Sequence, residues 1–348
     1  LIVGDGSSIH VRRLVHGLVA AGLQIELACF EGGDGLAVPI HRLGGTSAAN
    51  DFRYVLGIPR LAAVIRRRRP KVVNAHYLSS FGLMAAAAIS LNALGRDGPR
   101  LMQTTWGDDL LVAPRRSWVA RRMASWALRR AWLVTGDSAD LQEAAHGLCP
   151  SAPWVTIVFG PPAQLLEQDL QKQTAVVSAR MLIAEMRIDL IAKAFVAAGR
   201  MNEGALAGWR LIVASDGPER LAVEQILDGA GVDASMAGHL DHEGLLQLLK
   251  DARIYVSIPV SDGTSATLLE SLACGVVPVV NDLPANREWV DESIGVVVSR
   301  DPSIEELAEG IIRAAQMSPH VERLRDRVRD VTWESQVERF ASLIREAA

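Results

Sequence analysis

The sequence predicts an α/β protein of two Rossmann-like domains facing a central cleft, and three observations predict it. Short apolar runs alternate with helix-period stretches from end to end, the mark of parallel α/β architecture. The alternation breaks at Pro161-Pro162 and resumes at Ala175. At 348 residues the chain is also long for one core and suits two domains. The expected division is 1–162, 163–330 and a closing helix over 331–348 that packs back on the first domain. Ligands are expected at the C-terminal strand ends that face the cleft.

In the first half the strand candidates are Leu1–Val3, Gln24–Cys29, Val72–His76, Arg100–Trp106, Leu133–Gly136 and Val155–Val158. Between them the 3.6-residue period predicts helices at His10–Ala21, Tyr54–Arg68, Ser80–Leu94, Ser117–Arg130 and Ala139–His146. The polar stretch Gln164–Gln173 reads as a linker. A second series of strands follows at Ala175–Ser178, Arg210–Ala214, Ser235–Ala237, Ile254–Ile258, Val277–Val280 and Gly295–Val298. Its helices fall at Leu190–Ala198, Glu219–Ala230, Glu243–Asp251 and Ile304–Ala315, with a last one over Trp333–Glu346.

Hydrophobic residues at 49% with charged residues at 22% describe a globular chain rather than a disordered one. The longest weakly polar run, Phe81–Leu94, contains Ser and Asn and is too short to span a bilayer. No signal-peptide pattern is visible, and because Leu1 is not a start Met a few preceding residues are expected. Cys29, Cys149 and Cys274 show no pairing pattern, which suits reduced thiols and a cytoplasmic location. Residues 1–160 carry 18 Lys and Arg against 11 Asp and Glu, and the remainder 18 against 29. The basic half is therefore the candidate for an anionic acceptor or an acidic membrane surface, while nucleic acid is not expected as a partner.

After the strand Ile254–Ile258 comes Ser261-Asp-Gly-Thr-Ser-Ala-Thr-Leu-Leu-Glu-Ser-Leu-Ala-Cys-Gly275. Asp262 stands in the turn, Gly263, Thr264 and Ser265 form a helix mouth, and Glu270 follows further along the helix. The free N–H groups of a helix start favour an anion such as a phosphate. Two acids about two turns apart can reach two parts of one elongated polar ligand, which points to a nucleotide sugar. The alternative is an amphipathic helix with two solvated acids.

This segment resembles the acid-x7-acid signature of the retaining family-4 glycosyltransferases, including their small-residue helix ending, here Ala273-Cys274-Gly275. The resemblance implies the GT-B architecture, a nucleotide-diphosphate sugar as donor substrate, and no metal or other cofactor. It gives Asp262 the donor sugar and Glu270 the nucleotide ribose, although the family more often has Glu first. Arg180, just after Ala175–Ser178, stands where the family carries an Arg that meets the diphosphate, a task suited to forked, charge-assisted hydrogen bonds. The companion Lys expected about five residues later is absent. Glu185 and Met186 occupy that region, and Arg187 is either its substitute or a solvated helix-start residue. Val213–Arg220 resembles the family's strand and Gly-Asp-Gly-Pro turn, with Ser215 for the first Gly, Gly217 permitting the turn and Pro218 at the first helical position. Ala237–Leu240 resembles the strand end that reads the nucleobase, so Gly238 and His239 are candidates there.

In the first half Gly4-Asp-Gly-Ser-Ser8 joins a strand to a helix that opens at His10. By resemblance Gly6, Ser7, Ser8 and His10 approach the donor phosphates or the acceptor. Ile9 stands where a dinucleotide fingerprint needs its third glycine, which counts against a dehydrogenase. Asn74–Tyr77 and Thr104–Asp109 resemble acceptor-side strand ends, making His76 and Asp109 catalytic candidates. Asp109 is placed to orient an acceptor hydroxyl, or else is a helix N-cap. His76 is alternatively a hydrogen-bonded structural histidine, and Trp106 stands where many members have His.

Arg115, Arg116, Arg121, Arg122, Arg129 and Arg130 interleave with Trp118, Met123, Trp126 and Trp132. Such a 115–132 segment suits peripheral contact with an anionic lipid surface, or a helix with one core face and solvated arginines. No Asp-x-Asp or nucleophile elbow is present, and nothing in the sequence converges on His239 and His242. The expectation is a retaining, metal-independent hexosyltransferase acting on a carbohydrate, lipid-linked or small-molecule acceptor in glycan, glycolipid or natural-product synthesis. A nucleotide-sugar epimerase on the same architecture, or a degenerate transferase-like partner subunit, are the alternatives.

Overall fold

The computed structural model describes residues 1–44, 52–92, 98–168, 172–201, 206–318 and 320–348. The chain forms two compact units, Leu1–Phe159 with Glu334–Ala348, and Gly160–Trp333. In the first unit seven strands, β1 (Ile2–Val3), β2 (Leu27–Cys29), β3 (Ile40–Arg42), β4 (Val72–His76), β5 (Arg100–Thr104), β6 (Leu133–Gly136) and β7 (Trp154–Thr156), lie in the order β3-β2-β1-β4-β5-β6-β7. All are parallel. The central strand β4 is buried throughout, as a strand with helices on both faces must be. Its helices are α1 (Ile9–Ala20), α2 (Phe52–Arg68), α3 (Leu83–Asn92), α4 (Asp108–Leu111), α5 (Trp118–Leu128) and α6 (Ala139–Leu148).

The second unit repeats the plan with β8 (Ala175–Ser178), β9 (Arg210–Val213), β10 (Asp233–Met236), β11 (Ile254–Ser257), β12 (Val277–Asn281) and β13 (Val296–Val298). These too are all parallel, in the order β10-β9-β8-β11-β12-β13. Its helices are α7 (Ile188–Met201), α8 (Arg220–Leu227), α9 (His242–Asp251), α10 (Ala266–Ala273), α11 (Pro284–Arg287), α12 (Ile304–Gln316) and α13 (Val321–Asp326). In each sheet the strand order reverses once, between β1 and β4 and between β8 and β11. Successive connections leave a parallel sheet on opposite faces at such a point, and a crevice opens at the strand ends.

Three local expectations need correction. The short edge strand β3 (Ile-His-Arg) was not anticipated, because two half-buried residues and one exposed one carry too little pattern; it forms because β2 offers it a free edge. The predicted Ser80–Leu94 helix starts as a π-turn, Leu78–Gly82, before α3 takes over, and residues 93 and 94 lie outside the described residues. The expected linker Gln164–Gln173 begins instead as a packed 3-10 turn, Ala163–Glu167. There Leu165 is buried and Arg325 donates to the carbonyls of Leu165 and Gln168, while residues 169–171 lie outside the described residues.

The last helix, α14 (Trp333–Ala347), belongs with the first unit beyond its opening residue. Val337, Phe340, Ala341 and Ile344 recur at helical spacing and are buried, an apolar stripe that must find a partner. Phe340, Ala341 and Ile344 find it against Leu14, Leu18 and Ile157, with the Phe159 and Phe340 rings 5.7 Å apart. Phe340→Ala is expected to lower the unfolding free energy by about 3–5 kcal/mol. Urea denaturation checks it, and an unchanged midpoint would show that α14 adds nothing to this core.

Candidate functional site

In the second unit the loops leaving the neighbouring strands β8 and β11 carry Arg180 and Asp262. Arg180 Nη2 lies 2.8 Å from Asp262 Oδ2, with the two side chains 16% and 18% exposed. Arg180 Nη1 donates to Ser265 Oγ at 2.8 Å. Ser265 is the N-cap of α10, its hydroxyl accepting from the Leu268 N–H at 3.4 Å. The guanidinium is thereby tied to both the Asp262 carboxylate and the helix mouth. Burial opposes its charge, but Asp262 and Tyr255 together outweigh burial and raise the Arg180 pKa. Met186 fills the region of the missing Lys, with its sulfur 3.4 Å from Arg180 Nε.

The Arg180 loop is stitched to the turn after β9. The Leu182 N–H donates to the Asp216 carbonyl at 3.1 Å, and the Glu219 N–H to the Leu182 carbonyl at 3.0 Å. A Cβ on Gly217 would stand 2.5 Å from the Leu182 carbonyl oxygen, so only glycine allows this approach. Gly263 is buried in the helix mouth, and Trp289 Nε1 lies 3.4 Å from Thr264 Oγ1.

Glu270 is 2% exposed, and its Oε1 lies 2.7 Å from His242 Nε2. His242 opens α9, whose N-cap Asp241 accepts from the Gly244 N–H at 2.8 Å. His242 is thus a site residue that sequence reasoning left unassigned, since its partner lies 28 residues away. Arg180, Asp262 and Ser265 come together directly, whereas Glu270 is linked to them along α10. Gly238 takes a left-handed φ of 71° in the turn between β10 and α9, and His239 beside it is exposed. Arg187 does not join the Arg180 cluster as the expected substitute would. Its guanidinium donates to the Arg300 carbonyl at 3.1 Å and pairs with Asp301, and its own backbone is left-handed at φ 54°.

In the first unit the candidates gather at the ends of β1, β4 and β5. Asp109 is buried and accepts backbone N–H groups from Leu78 at 2.7 Å, Trp106 at 3.0 Å and Gly107 at 3.1 Å. It therefore bolts the β4 loop to the β5 loop, a use of both oxygens that differs from the expected role on an acceptor hydroxyl. Burial pushes its pKa up to about 6, against the pull of those N–H groups. His76 is fully buried; its Nδ1 accepts from Trp106 Nε1 at 3.1 Å, and burial, then the His10 charge, lower its pKa to about 3. The Trp106 ring lies 4.9 Å from His10, 5.8 Å from His76 and 6.3 Å from Tyr77. Gly6 pairs with Gly32, and a Cβ on it would sit 2.6 Å from the Glu31 carbonyl oxygen, so this glycine serves backbone packing. Ser7 is exposed and Ser8 precedes α1. Asp5, Ser8, Tyr77, Ser80, Asp109 and Arg116 line a polar cavity of about 330 Å³.

On α5, Ala124, Ala127 and Leu128 are buried while its arginines are exposed. Arg130 sits 4.0 Å over the Trp126 ring and Arg100 5.1 Å over Trp132, so two of the four interleaved apolar residues are engaged within the unit. Among the described residues no helix is long and apolar enough to cross a membrane, and no group of three or more His, Cys, Asp or Glu is placed to hold a metal ion.

Comparison with known families matches residues 1–138 to the glycosyl transferase 4-like model and residues 172–317 to glycosyl transferases group 1. Comparison with curated proteins finds no match. Among solved structures the chain is similar to sucrose-phosphate synthase from Thermosynechococcus elongatus (TM-score 0.75, 16% identity, 99% of this chain and 98% of that one). It is similar also to HepE of Anabaena in complex with UDP (0.68, 14%, 99% and 96%). A third is WaaG, a glycosyltransferase involved in lipopolysaccharide biosynthesis (0.70, 13%, 99% and 99%). At these identities the likeness shows the fold, which is GT-B.

His76 gives a pH-dependent prediction. Its folded pKa of about 3 lies below the ordinary value of 6.5, so the unfolded chain binds a proton that the folded one refuses. The associated stability is present above pH 6.5 and is lost as pH falls toward about 3. Asp109, raised from 3.8 to about 6, slopes the other way, so the comparison must be between parent and variant. His76→Gln is expected to flatten the loss of unfolding free energy between pH 7.5 and pH 5, measured by urea titration at each pH; an unaltered slope would refute the buried neutral imidazole.

Proposed function

Since the chain belongs to the family-4-like, group 1 glycosyltransferases, we propose that it moves a hexose-type sugar from a nucleotide-diphosphate sugar to an acceptor hydroxyl with retention of configuration and without a metal ion. The observation that carries this reading is the Arg180–Asp262–Ser265 constellation at the start of α10. A guanidinium and a helix N-terminus converge where strand order reverses, a place suited to a diphosphate. Asp262, ion-paired there, is the group assigned to the donor sugar. Glu270, steadied by His242, is assigned to the ribose, and the Gly238-His239 turn near α9 to the base. The UDP bound to HepE supports a nucleotide donor.

In the reaction the bond between the sugar's anomeric carbon and the diphosphate oxygen breaks, and the diphosphate leaves with the electron pair. The acceptor oxygen forms the new bond on the same face, and its proton passes to the departing phosphate. Arg180 and the first N–H groups of α10 stabilise the charge that develops on the leaving group, a role that removal of one donor usually exposes as a loss of about 10²–10³-fold in turnover. Neither Asp109 nor His76 acts as a base here. Both belong to the acceptor-side framework, where Asp109 fixes the loops and His76 stays neutral beside Trp106.

Arg180→Ala is expected to reduce turnover by about 100-fold or more, while Glu270→Gln weakens donor binding with a smaller effect on turnover. Thermal-shift screening of nucleoside diphosphates, followed by titration and mass-spectrometric product analysis, tests the reading. No stabilisation by any nucleoside diphosphate would overturn it, and conversion of donor without any acceptor would favour an epimerase.

A further inference from the structure

The first unit carries a surface that donor chemistry does not use. A groove of about 1060 Å³ runs between α2 and α5 over α3. Its walls include Val55 and Ile58 of α2, Met84 of α3, and Trp118, Val119 and Met123 of α5. Val55 is 54% exposed, Trp118 74%, Val119 45% and Met123 46%. Exposed apolar side chains gathered around one concavity mark a binding site more often than chance. None of the lining residues is acidic, while Arg116, Arg122 and Arg129 are among them. Arg116 and Arg122 make no ion pair with a described residue.

The groove adjoins the polar cavity. Tyr54, Ser79, Ser80, Ala113 and Arg116 line both, so Arg116 stands between the cavity lined by Asp5 and Asp109 and the apolar walls of the groove. We propose that these adjoining cavities seat an amphipathic acceptor, with its hydroxyl-bearing head in the polar cavity, an anionic linkage at Arg116 and a hydrocarbon chain in the groove. The inference rests on the transferase reading and narrows its acceptor. A wholly hydrophilic acceptor would leave the apolar walls wet, and a flat membrane contact would need these side chains on a convex face rather than lining a concave one.

Isothermal titration of the full chain with octyl, decyl and dodecyl phosphate, each below its micellar concentration, tests the proposal, with inorganic phosphate as the headgroup alone. Affinity is expected to rise about four-fold for each buried methylene, and phosphate alone is expected to bind far more weakly. Met123→Asp and Val119→Asp, both at exposed positions, are expected to abolish the chain-length dependence, while Leu221→Asp on the other unit leaves it intact. Arg116→Ala is expected to weaken all three alkyl phosphates by a similar factor. Affinity independent of chain length, or unchanged in Met123→Asp, overturns the proposal. So does binding to anionic phosphatidylglycerol vesicles without binding of the monomeric alkyl phosphates, which would make the face a membrane contact. A dimer in sedimentation that Met123→Asp dissociates would assign the groove to a second copy and equally overturn it. Nucleoside diphosphate titrated into the same preparation separates the two readings: if it binds and the alkyl phosphates do not, only the acceptor inference fails.

Discussion

An all-parallel sheet places every strand's C-terminal end on one edge, and the candidate chemistry of this chain depends on that constraint. Where strand order reverses, the two adjacent loops turn away to opposite faces and leave a crevice that neither fills. The loops after β8 and β11 flank one such point and bring Arg180 to Asp262 at 2.8 Å. Those after β1 and β4 flank the other, with His10 and His76 both against Trp106. The crevices exist because of the topology, and the side chains then decide what each can hold.

Buried Asp109 and half-buried Asp262 show how differently one residue type is used at a helix start. Asp109 has its oxygens occupied by three backbone N–H groups, and it stabilises two loops at the expense of its availability for chemistry. Asp262 faces a guanidinium instead, which offsets its charge and leaves the attraction for an anion to the helix N-terminus. At Asp109 burial pushes the carboxyl toward the neutral form against the pull of its N–H partners. Glycine acts in the same framework through close approach: Gly217 lets the β9 turn touch the Leu182 backbone and so fixes the loop that holds Arg180.

Much of the fold is legible in the sequence because buried parallel strands are short, continuous apolar runs. Val72–His76, Leu133–Gly136 and Ala175–Ser178 are strands with the boundaries expected of them. Legibility fails where burial is partial, as at β3, and where packing overrides a polar composition, as at Ala163–Glu167. In the site, the Ser261–Gly275 motif singles out Asp262, Ser265 and Glu270, and the family pattern adds Arg180. What the motif hides is which partner each group takes.

Local information in the chain determined the alternation of strands and helices, the two-domain plan and the acid-bearing helix, because period and turn residues act within a few positions of one another. Pairing was decided only in three dimensions. That His242 meets Glu270, that Arg187 turns to Asp301, and that Asp109 bolts two loops all depend on segments far apart in sequence. Such contacts are set by strand order and loop direction, which no local pattern encodes.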